Sequence, residues 1–112
     1  MNIVLGRTVY FDFVCHTTAG AVSDADSTPT VEVFEDSTDA TVYSLTATKR
    51  TGKTGNYRVP VAVTAANGFE IGKSYNIIAS ATVGGVSSKA VIGNFVIENI
   101  AFLRGAIVTE LS

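Results

Sequence analysis

Apolar and polar residues alternate along much of the chain, and this alternation predicts β-strands. In Thr8–Cys15 the apolar residues Val9, Phe11, Phe13 and Cys15 occupy every second position. Successive side chains of a strand point to opposite faces, so this segment is predicted to bury one face and expose the other. Val, Ile and Thr supply 37 of the 112 residues, and their branched side chains favour pleated sheet over helix.

The same criteria predict further strands, separated by short polar segments. They are Thr30–Glu35, Thr41–Thr48, Asn56–Val63, Ser74–Val83 and Val86–Ile97. Gly84 and Gly85 lie between the last two, and because both accept a positive φ they predict a two-residue antiparallel hairpin. Pro60 has no amide hydrogen to donate, so its strand is predicted at a sheet edge or with a bulge. The connection Ala65–Gly72 has room for one helical turn.

Short strands joined by turn signals every 8–12 residues or so are typical of a two-sheet sandwich. We therefore predict an all-β fold, an immunoglobulin-like antiparallel β-sandwich of about seven strands, over residues 1–98. The chain has one cysteine and no tryptophan, which disfavours an antibody-type domain. Residues 99–112 form either one more strand of the domain or a docking arm, and both interpretations stay open.

The composition narrows the class of protein. Charged residues make up 16% of the chain, against about 25% in an average soluble domain, and the mean hydropathy is positive. This combination excludes a disordered segment. The net charge of −2 gives no basic footprint for nucleic acid. No apolar run approaches the ~20 residues of a membrane helix, so neither nucleic acid nor membrane is an expected partner.

The single cysteine and the first residues bear on where the chain folds. Cys15 has no partner for an internal disulfide, which fits a reducing compartment such as a cytoplasm. The opening sequence MNIVLGRT contains neither a basic region nor a long apolar run, so no secretory signal is expected.

Two short motifs share residues with catalytic or nucleotide-binding signatures but lack their context. Cys15 and His16 are neighbours at a strand end, where their side chains point to opposite faces and cannot form a catalytic pair. Thr51–Gly55 (TGKTG) ends like a phosphate-binding loop, but Ala47 stands where that pattern needs glycine, and a strand follows instead of a helix. We expect a buried cysteine, a surface histidine and an exposed hairpin loop. No catalytic or cofactor-binding residues are predicted, and an enzyme is not expected.

Carboxylates cluster in two polar segments, and such oxygens can bind Ca²⁺. The clusters are Asp24 with Asp26, and Glu35 with Asp36 and Asp39. A calcium loop needs glycine at its sixth position, where this chain has Pro29. Aspartate also makes local hydrogen bonds in ordinary turns, so we expect solvated turns and predict no metal site.

Basic residues gather around the predicted hairpin loop: Lys49, Arg50, Lys53 and Arg58. A nucleic-acid site would need more positive charge and exposed aromatic residues for stacking. We expect these side chains to aid solubility or to pair with an acidic patch on a neighbouring subunit.

One stretch of loop and strand points to a family. Thr17–Glu35 (TTAGAVSDADSTPTVEVFE) resembles the opening of small immunoglobulin-like modules in tailed-bacteriophage virion proteins. The second half is also similar, through Tyr57–Val63 (YRVPVAV), Gly68–Gly72 (GFEIG) and Tyr75–Phe95, which ends in ATVGGVSSKAVIGNF. The resemblance covers about Val4–Ile97. It implies a structural protein of the virion that folds in the host cytoplasm and is then assembled on a phage particle, with no catalytic residues to carry over.

Three functions follow as hypotheses. The first is a capsid decoration or cement protein on the head surface, and the second is a tail, neck or baseplate component that anchors a fibre. In both, the partners are capsid or tail subunits together with further copies of this chain. The third is a module that binds a host-surface glycan through exposed aromatic residues, for which the candidates are Tyr10, Tyr43, Tyr57, Phe69 and Phe102.

Under the first two hypotheses, we expect contacts with neighbouring subunits at the two ends of the chain. Sheet edges recruit partners, and the terminal segments are too apolar to remain in water. The predicted interface residues are Ile3, Val4, Leu5, Ile100, Phe102, Leu103, Ile107, Val108 and Leu111.

Overall fold

The predicted strands form two β-sheets. A computed structural model describes residues 1–98 of the chain. Its strands are β1 (Asn2–Ile3), β2 (Arg7–Val14), β3 (Thr30–Glu35), β4 (Thr41–Thr46), β5 (Thr48–Lys49), β6 (Asn56–Val63), β7 (Ser74–Val83) and β8 (Val86–Ile97). A 3₁₀ helix, Ala65–Asn67, joins β6 to β7. The predicted helical turn in this connection is therefore confirmed.

The two sheets have five and three strands. The larger has the order β1-β8-β7-β3-β4, and the smaller has the order β2-β6-β5. All neighbouring strands are antiparallel except β1, which pairs in parallel with β8 through Asn2 and Ile3. The chain passes from the larger sheet to the smaller after β1 and after β4, and from the smaller to the larger after β2 and after β6. The all-β sandwich of immunoglobulin type is the observed fold.

A tyrosine at the corner between β6 and β7 supports this assignment. Tyr75 lies at the start of β7, and its hydroxyl accepts a 2.9 Å hydrogen bond from the backbone amide of Glu70. A tyrosine bonded in this way to backbone a few residues upstream is a hallmark of immunoglobulin-like sandwiches.

The core lies between the two sheets and follows the predicted alternation. Its aliphatic layer comes from inward-facing residues of β3, β6 and β7: Val31, Val33, Val59, Val61, Val63 and Ile77. Three buried aromatic rings lie against this layer. The ring centroid of Phe69 is 4.9 Å from that of Tyr75, and the ring of Phe95 lies 5.5 Å from Tyr75.

Gly93 in β8 makes room for one further ring. A Cβ atom at this position would lie 2.7 Å from the ring of Phe11 on β2, which is closer than real Cβ contacts. Glycine therefore lets the two sheets approach each other here.

The predicted strand Thr41–Thr48 is divided in the structure. β4 lies in the larger sheet, β5 lies in the smaller one, and Ala47 is buried between them. The amide of Ala47 donates a 3.0 Å hydrogen bond to the carbonyl of Pro29. The chain thus changes sheets in the middle of an apparently continuous strand pattern. Alternation shows which side chains face the core, but it does not show which strand the segment pairs with.

The hairpin and proline predictions agree with the structure. Gly84 and Gly85 have φ values of 57° and 80° and form the two-residue turn between β7 and β8. Pro60 faces Tyr10 of β2 on one side. On the other side β5 reaches only Tyr57 and Arg58, so within residues 1–98 the missing amide lies at an unpaired edge.

Candidate functional site

The sandwich has two incompletely paired edges that border one cleft. Within residues 1–98, β2 pairs with β6 alone and has no strand on its outer side. β8 pairs with β7 over its whole length but meets β1 only at Val96 and Ile97. Residues of β2, β7 and β8 together line a cleft of about 300 Å³ at the hairpin end of the molecule. We call this feature the β2/β8 cleft.

The cleft exists because inward-facing residues become smaller towards the hairpin. The inward row of β7 begins with Tyr75 and Ile77, which are fully buried, and continues with Ala79 and Ala81. Ala90 lies on the neighbouring strand and also lines the cleft. Side chains this short cannot bridge the distance to the opposite sheet, so the space between the sheets is left open.

The surroundings of the cleft are apolar. Phe13 and Ile92 are half-buried at its two walls. Nearby on the same strands, Val14 is 42% exposed and Val91 is 61% exposed. Apolar surface beside unpaired backbone is a property of sites that add a strand from another chain.

The N-terminal interface residues lie against the chain's own fold. Ile3 is 5% exposed in the core, and Val4 and Leu5 are partly buried. The backbone of this segment receives hydrogen bonds from β8 and its end, including one from the amide of Glu98 to the carbonyl of Ile3 at 2.9 Å. The apolar side chain of Ile3 is therefore already taken up internally. Contact of this segment with a neighbouring subunit stays a prediction.

The remaining predicted interface residues lie outside the described part of the chain. They are Ile100, Phe102, Leu103, Ile107, Val108 and Leu111.

The carboxylates of Asp24 and Asp26 hold turns in place. Asp24 accepts hydrogen bonds from the amide of Gly55 at 2.6 Å and from the Lys49 ammonium at 2.8 Å. Asp26 accepts from the amides of Gly84 and Gly85 at 3.0 and 2.8 Å. The hydrogen bonds to Lys49 and Gly55 lower the pKa of Asp24.

The two aspartates thus tie one loop to two different turns instead of converging on a common point. In residues 1–98 no group of three His, Cys, Asp or Glu side chains is arranged to hold a metal. The sequence pattern did not reveal that these aspartates hold turns in place, because the partners of Asp26 are 58 and 59 residues away along the chain.

A buried tyrosine fixes the same loop from below. The hydroxyl of Tyr57 accepts a 2.9 Å hydrogen bond from the amide of Ala25. Its ring stacks on Phe13 at 5.6 Å. The loop between β2 and β3 is therefore held at Asp24, Ala25 and Asp26.

Cys15 and His16 lie where the alternation predicts. Cys15 is 6% exposed and His16 is exposed. Burial, followed by the nearby charge of Asp24, raises the pKa of the Cys15 thiol. The thiol is thus kept in its unreactive, protonated form.

The predicted hairpin loop and the basic cluster form a shallow groove of about 400 Å³ beside Tyr10. Thr51–Gly55 is a turn region followed by β6, so the expectation of a hairpin loop is confirmed. Arg58 forks onto Asp12 at 2.8 and 3.1 Å, and its guanidinium carbon lies 5.5 Å from the centroid of the Tyr10 ring. Arg50 lies 3.7 Å from the same carboxylate. Part of the basic charge is therefore neutralised within the chain.

Most of the aromatic candidates for glycan binding are inside the fold. Tyr57 and Phe69 are 5% and 1% exposed, and Tyr43 is half-buried. Phe102 lies outside the described residues. Tyr10, with 59% exposure, is the aromatic candidate of residues 1–98 that is open to solvent.

The described residues include no helix with the length and apolar character that crossing a membrane requires. Comparison of the chain with protein-family models, with curated proteins and with solved structures finds no match.

Proposed function

We propose that the chain is a structural protein of a bacteriophage virion, and that it acts as a decoration or cement protein on the head surface. It would bind capsid subunits and further copies of itself after folding in the host cytoplasm. The observation that carries this proposal is the β2/β8 cleft, an apolar opening between two strand edges that are incompletely paired within residues 1–98. The resemblance of about Val4–Ile97 to phage virion modules supports it.

The physical argument is that the domain offers a partner a binding surface whose shape is already fixed. Its β2–β3 loop is fixed because the side chains of Asp24, Asp26 and Tyr57 accept hydrogen bonds from backbone amides. A fixed loop lowers the entropy cost of binding, because little must be ordered when a partner arrives. The open strand edge then offers backbone hydrogen bonds, and the apolar cleft offers a pocket for side chains.

The test is electron microscopy of phage particles assembled with and without this chain. Head-surface density that is lost without the chain and restored by adding purified protein supports a decoration role. Density on the tail, neck or baseplate, present in few copies, favours the alternative of a tail or fibre-anchor component. Intact virions that never carry the chain would overturn both assignments.

One observation favours a second function, the binding of a host-surface glycan. Tyr10 is exposed beside Arg58 in the groove on the smaller sheet, and such a ring can stack on a sugar while a guanidinium binds an acidic substituent. A glycan array probed with purified protein tests it. Signal that disappears in Tyr10→Ala supports glycan binding, and an array without signal removes it.

A further inference from the structure

We propose that residues 99–112 of one copy of this chain bind as an added β-strand along the outer edge of β2, above the β2/β8 cleft, in a second copy. This inference rests on the proposed function, because it describes how subunits of a structural protein join. It names the acceptor surface, the donor segment and the kind of bond between them.

The acceptor edge is β2. Its eight residues pair with β6 without a break in register, so the opposite side of the strand carries a regular row of backbone groups. The edge of β8 is less suitable, because its register shifts at Ile92 and β1 occupies Val96 and Ile97. A bulge is a common device that blocks strand addition, and β2 lacks one.

The cleft beneath this edge has room for alternate side chains of an added strand. Its walls carry Phe13 from β2 and Ala81, Ala90 and Ile92 from the other sheet. In a sandwich a complete layer is closed by large inward residues, as Phe95 closes the other end. Here the alanines leave about 300 Å³ open, which suits aliphatic side chains that enter from outside.

The donor segment has the pattern that this acceptor needs. From Ala101 to Leu111 the odd-numbered positions are Ala, Leu, Gly, Ile, Thr and Leu, and none is charged. Both charged residues, Arg104 and Glu110, are at even-numbered positions. Period two would therefore place Leu103, Ile107 and Leu111 on one face of the added strand, the face that turns towards the cleft, and both charges on the opposite face.

The length of the segment agrees with the length of the edge. Eight residues of β2 span about 27 Å at the rise of an antiparallel strand. The 14 residues after Glu98 reach about 46 Å when extended. The segment can cover the whole edge and still has about 20 Å with which to leave its own domain.

The position of Glu98 favours a second copy over the chain's own domain. Its amide is bonded to Ile3, at the end of β8 opposite to the cleft residues Ser88 and Ala90. To reach β2 of its own domain, the segment after Glu98 must turn back around β1. It would then run in the same direction as β2 and pair with it in parallel. Parallel pairing is less stable for each residue than antiparallel pairing, whereas the segment of a second copy is free to enter in the antiparallel direction.

The test is cross-linking between two full-length chains, each with one cysteine, in a Cys15→Ala background. Ser88→Cys marks the cleft in one chain, and Thr109→Cys marks the cleft-facing side of the donor segment in the other, differently tagged chain. With a short thiol-reactive cross-linker, we expect a covalent heterodimer on a denaturing gel. A matched acceptor control, Thr41→Cys on exposed β4, should give at least tenfold less product.

A second measurement covers the case in which the cysteines disturb the fold. Ile107→Asp places a charge on the cleft-facing side and should weaken self-association at least tenfold in analytical ultracentrifugation. Arg104→Asp, on the opposite side of the same segment, should leave it within about twofold.

Absence of heterodimer, equal product with the control, or loss of association in both donor variants would overturn the proposal. So would cross-linking of a chain that carries both Ser88→Cys and Thr109→Cys only to itself.

The outcome is separable from that of the proposed function. Attachment of Ile107→Asp to particles in the electron-microscopy assay, without self-association in solution or inter-copy cross-links, overturns the strand exchange and keeps the virion role. Inter-copy cross-links in a protein that never joins particles keep the strand exchange and overturn the virion role.

Discussion

The two ends of this sandwich are built from the same alternating strands but differ in what fills the space between the sheets. At the filled end, Phe69, Tyr75 and Phe95 form a closed aromatic cluster. At the open end, Ala79 and Ala81 occupy the corresponding inward row of β7 and leave the β2/β8 cleft. The comparison teaches that alternation decides which face is inside, while the size of the inward residues decides whether that inside is closed.

This difference separates stability from assembly within one small domain. Burial at the filled end stabilises the fold, because fully buried apolar side chains each contribute about 1.5–3 kcal/mol. The open end contributes less to folding and keeps apolar surface for a partner. The predictions below test whether the two ends can be altered independently.

The largest expected effect is the loss of an aromatic ring at the filled end. Phe69 is 1% exposed and contacts Tyr43, Tyr75 and Phe95, so Phe69→Ala should lower the free energy of unfolding by about 3–5 kcal/mol. The matched change at the open end, Ile92→Ala, should cost about 1–2 kcal/mol because that side chain is only half-buried. Chemical denaturation measures both. Equal losses would contradict the distinction between the ends.

The next effect concerns the close approach of the sheets between the two ends. Gly93→Ala places a methyl group 2.7 Å from the ring of Phe11, and such overpacking costs about 1–3 kcal/mol. In a Phe11→Leu background the same change should cost clearly less, since the smaller side chain leaves room for the methyl group. A double-mutant cycle in urea measures this coupling, and additive losses would show that the glycine is not required by the ring.

A smaller effect is expected from the hydroxyl groups that fix each end. Tyr75→Phe removes the hydrogen bond to Glu70 at the filled end, and Tyr57→Phe removes the one to Ala25 at the open end. Each should lower the free energy of unfolding by about 1–2 kcal/mol, because the partner amide loses its acceptor.

Hydrogen exchange distinguishes these two losses. Tyr57→Phe should speed exchange mainly in the loop between β2 and β3, whereas Tyr75→Phe should act on the whole fold. Identical exchange patterns for the two variants would contradict a local role for Tyr57.

The part of the fold that follows from local pattern could be predicted from the sequence. The bounds of Thr30–Glu35, Asn56–Val63, Ser74–Val83 and Val86–Ile97 agree with the structure, because each segment is rich in β-branched and aromatic residues and is bounded by turn residues. β1 was not predictable in this way, since two residues have no period. The change of sheet at Ala47 was not predictable for the same reason, since β5 also has only two residues.

The candidate site depends on long-range neighbours, and this is why sequence patterns did not reveal it. The cleft requires Phe13 to face Ala81 and Ala90 across the two sheets, and none of these residues is unusual in its own strand. Asp24 and Asp26 look like a ligand pair in the sequence, yet each carboxylate faces a different turn. Sequence reasoning found the chemistry of these groups but could not assign their partners.

The smallest expected effect is a difference in acid sensitivity between carboxylates at the two ends. Glu35, at the filled end, is 8% exposed and is bonded to Lys73 at 2.7 Å and to the hydroxyl of Thr38 at 2.6 Å. These hydrogen bonds, with that from Lys73 the larger cause, lower the pKa of Glu35. A carboxylate with a lowered folded-state pKa stabilises the fold fully above the ordinary glutamate pKa, and this contribution is lost as the pH falls through the lowered value.

Glu35→Gln should therefore flatten the decline of the unfolding free energy below about pH 5, with little change in slope near neutral pH. Asp24→Asn is the matched change at the open end, where the pKa is also lowered but the side chain is 43% exposed. Solvent screens an exposed pair more strongly, so Asp24→Asn should flatten the decline less than Glu35→Gln. Thermal unfolding followed between pH 3 and 7 at constant salt measures both slopes. A larger effect from Asp24→Asn would mean that the open end, and not the aromatic end, governs the acid response of the domain.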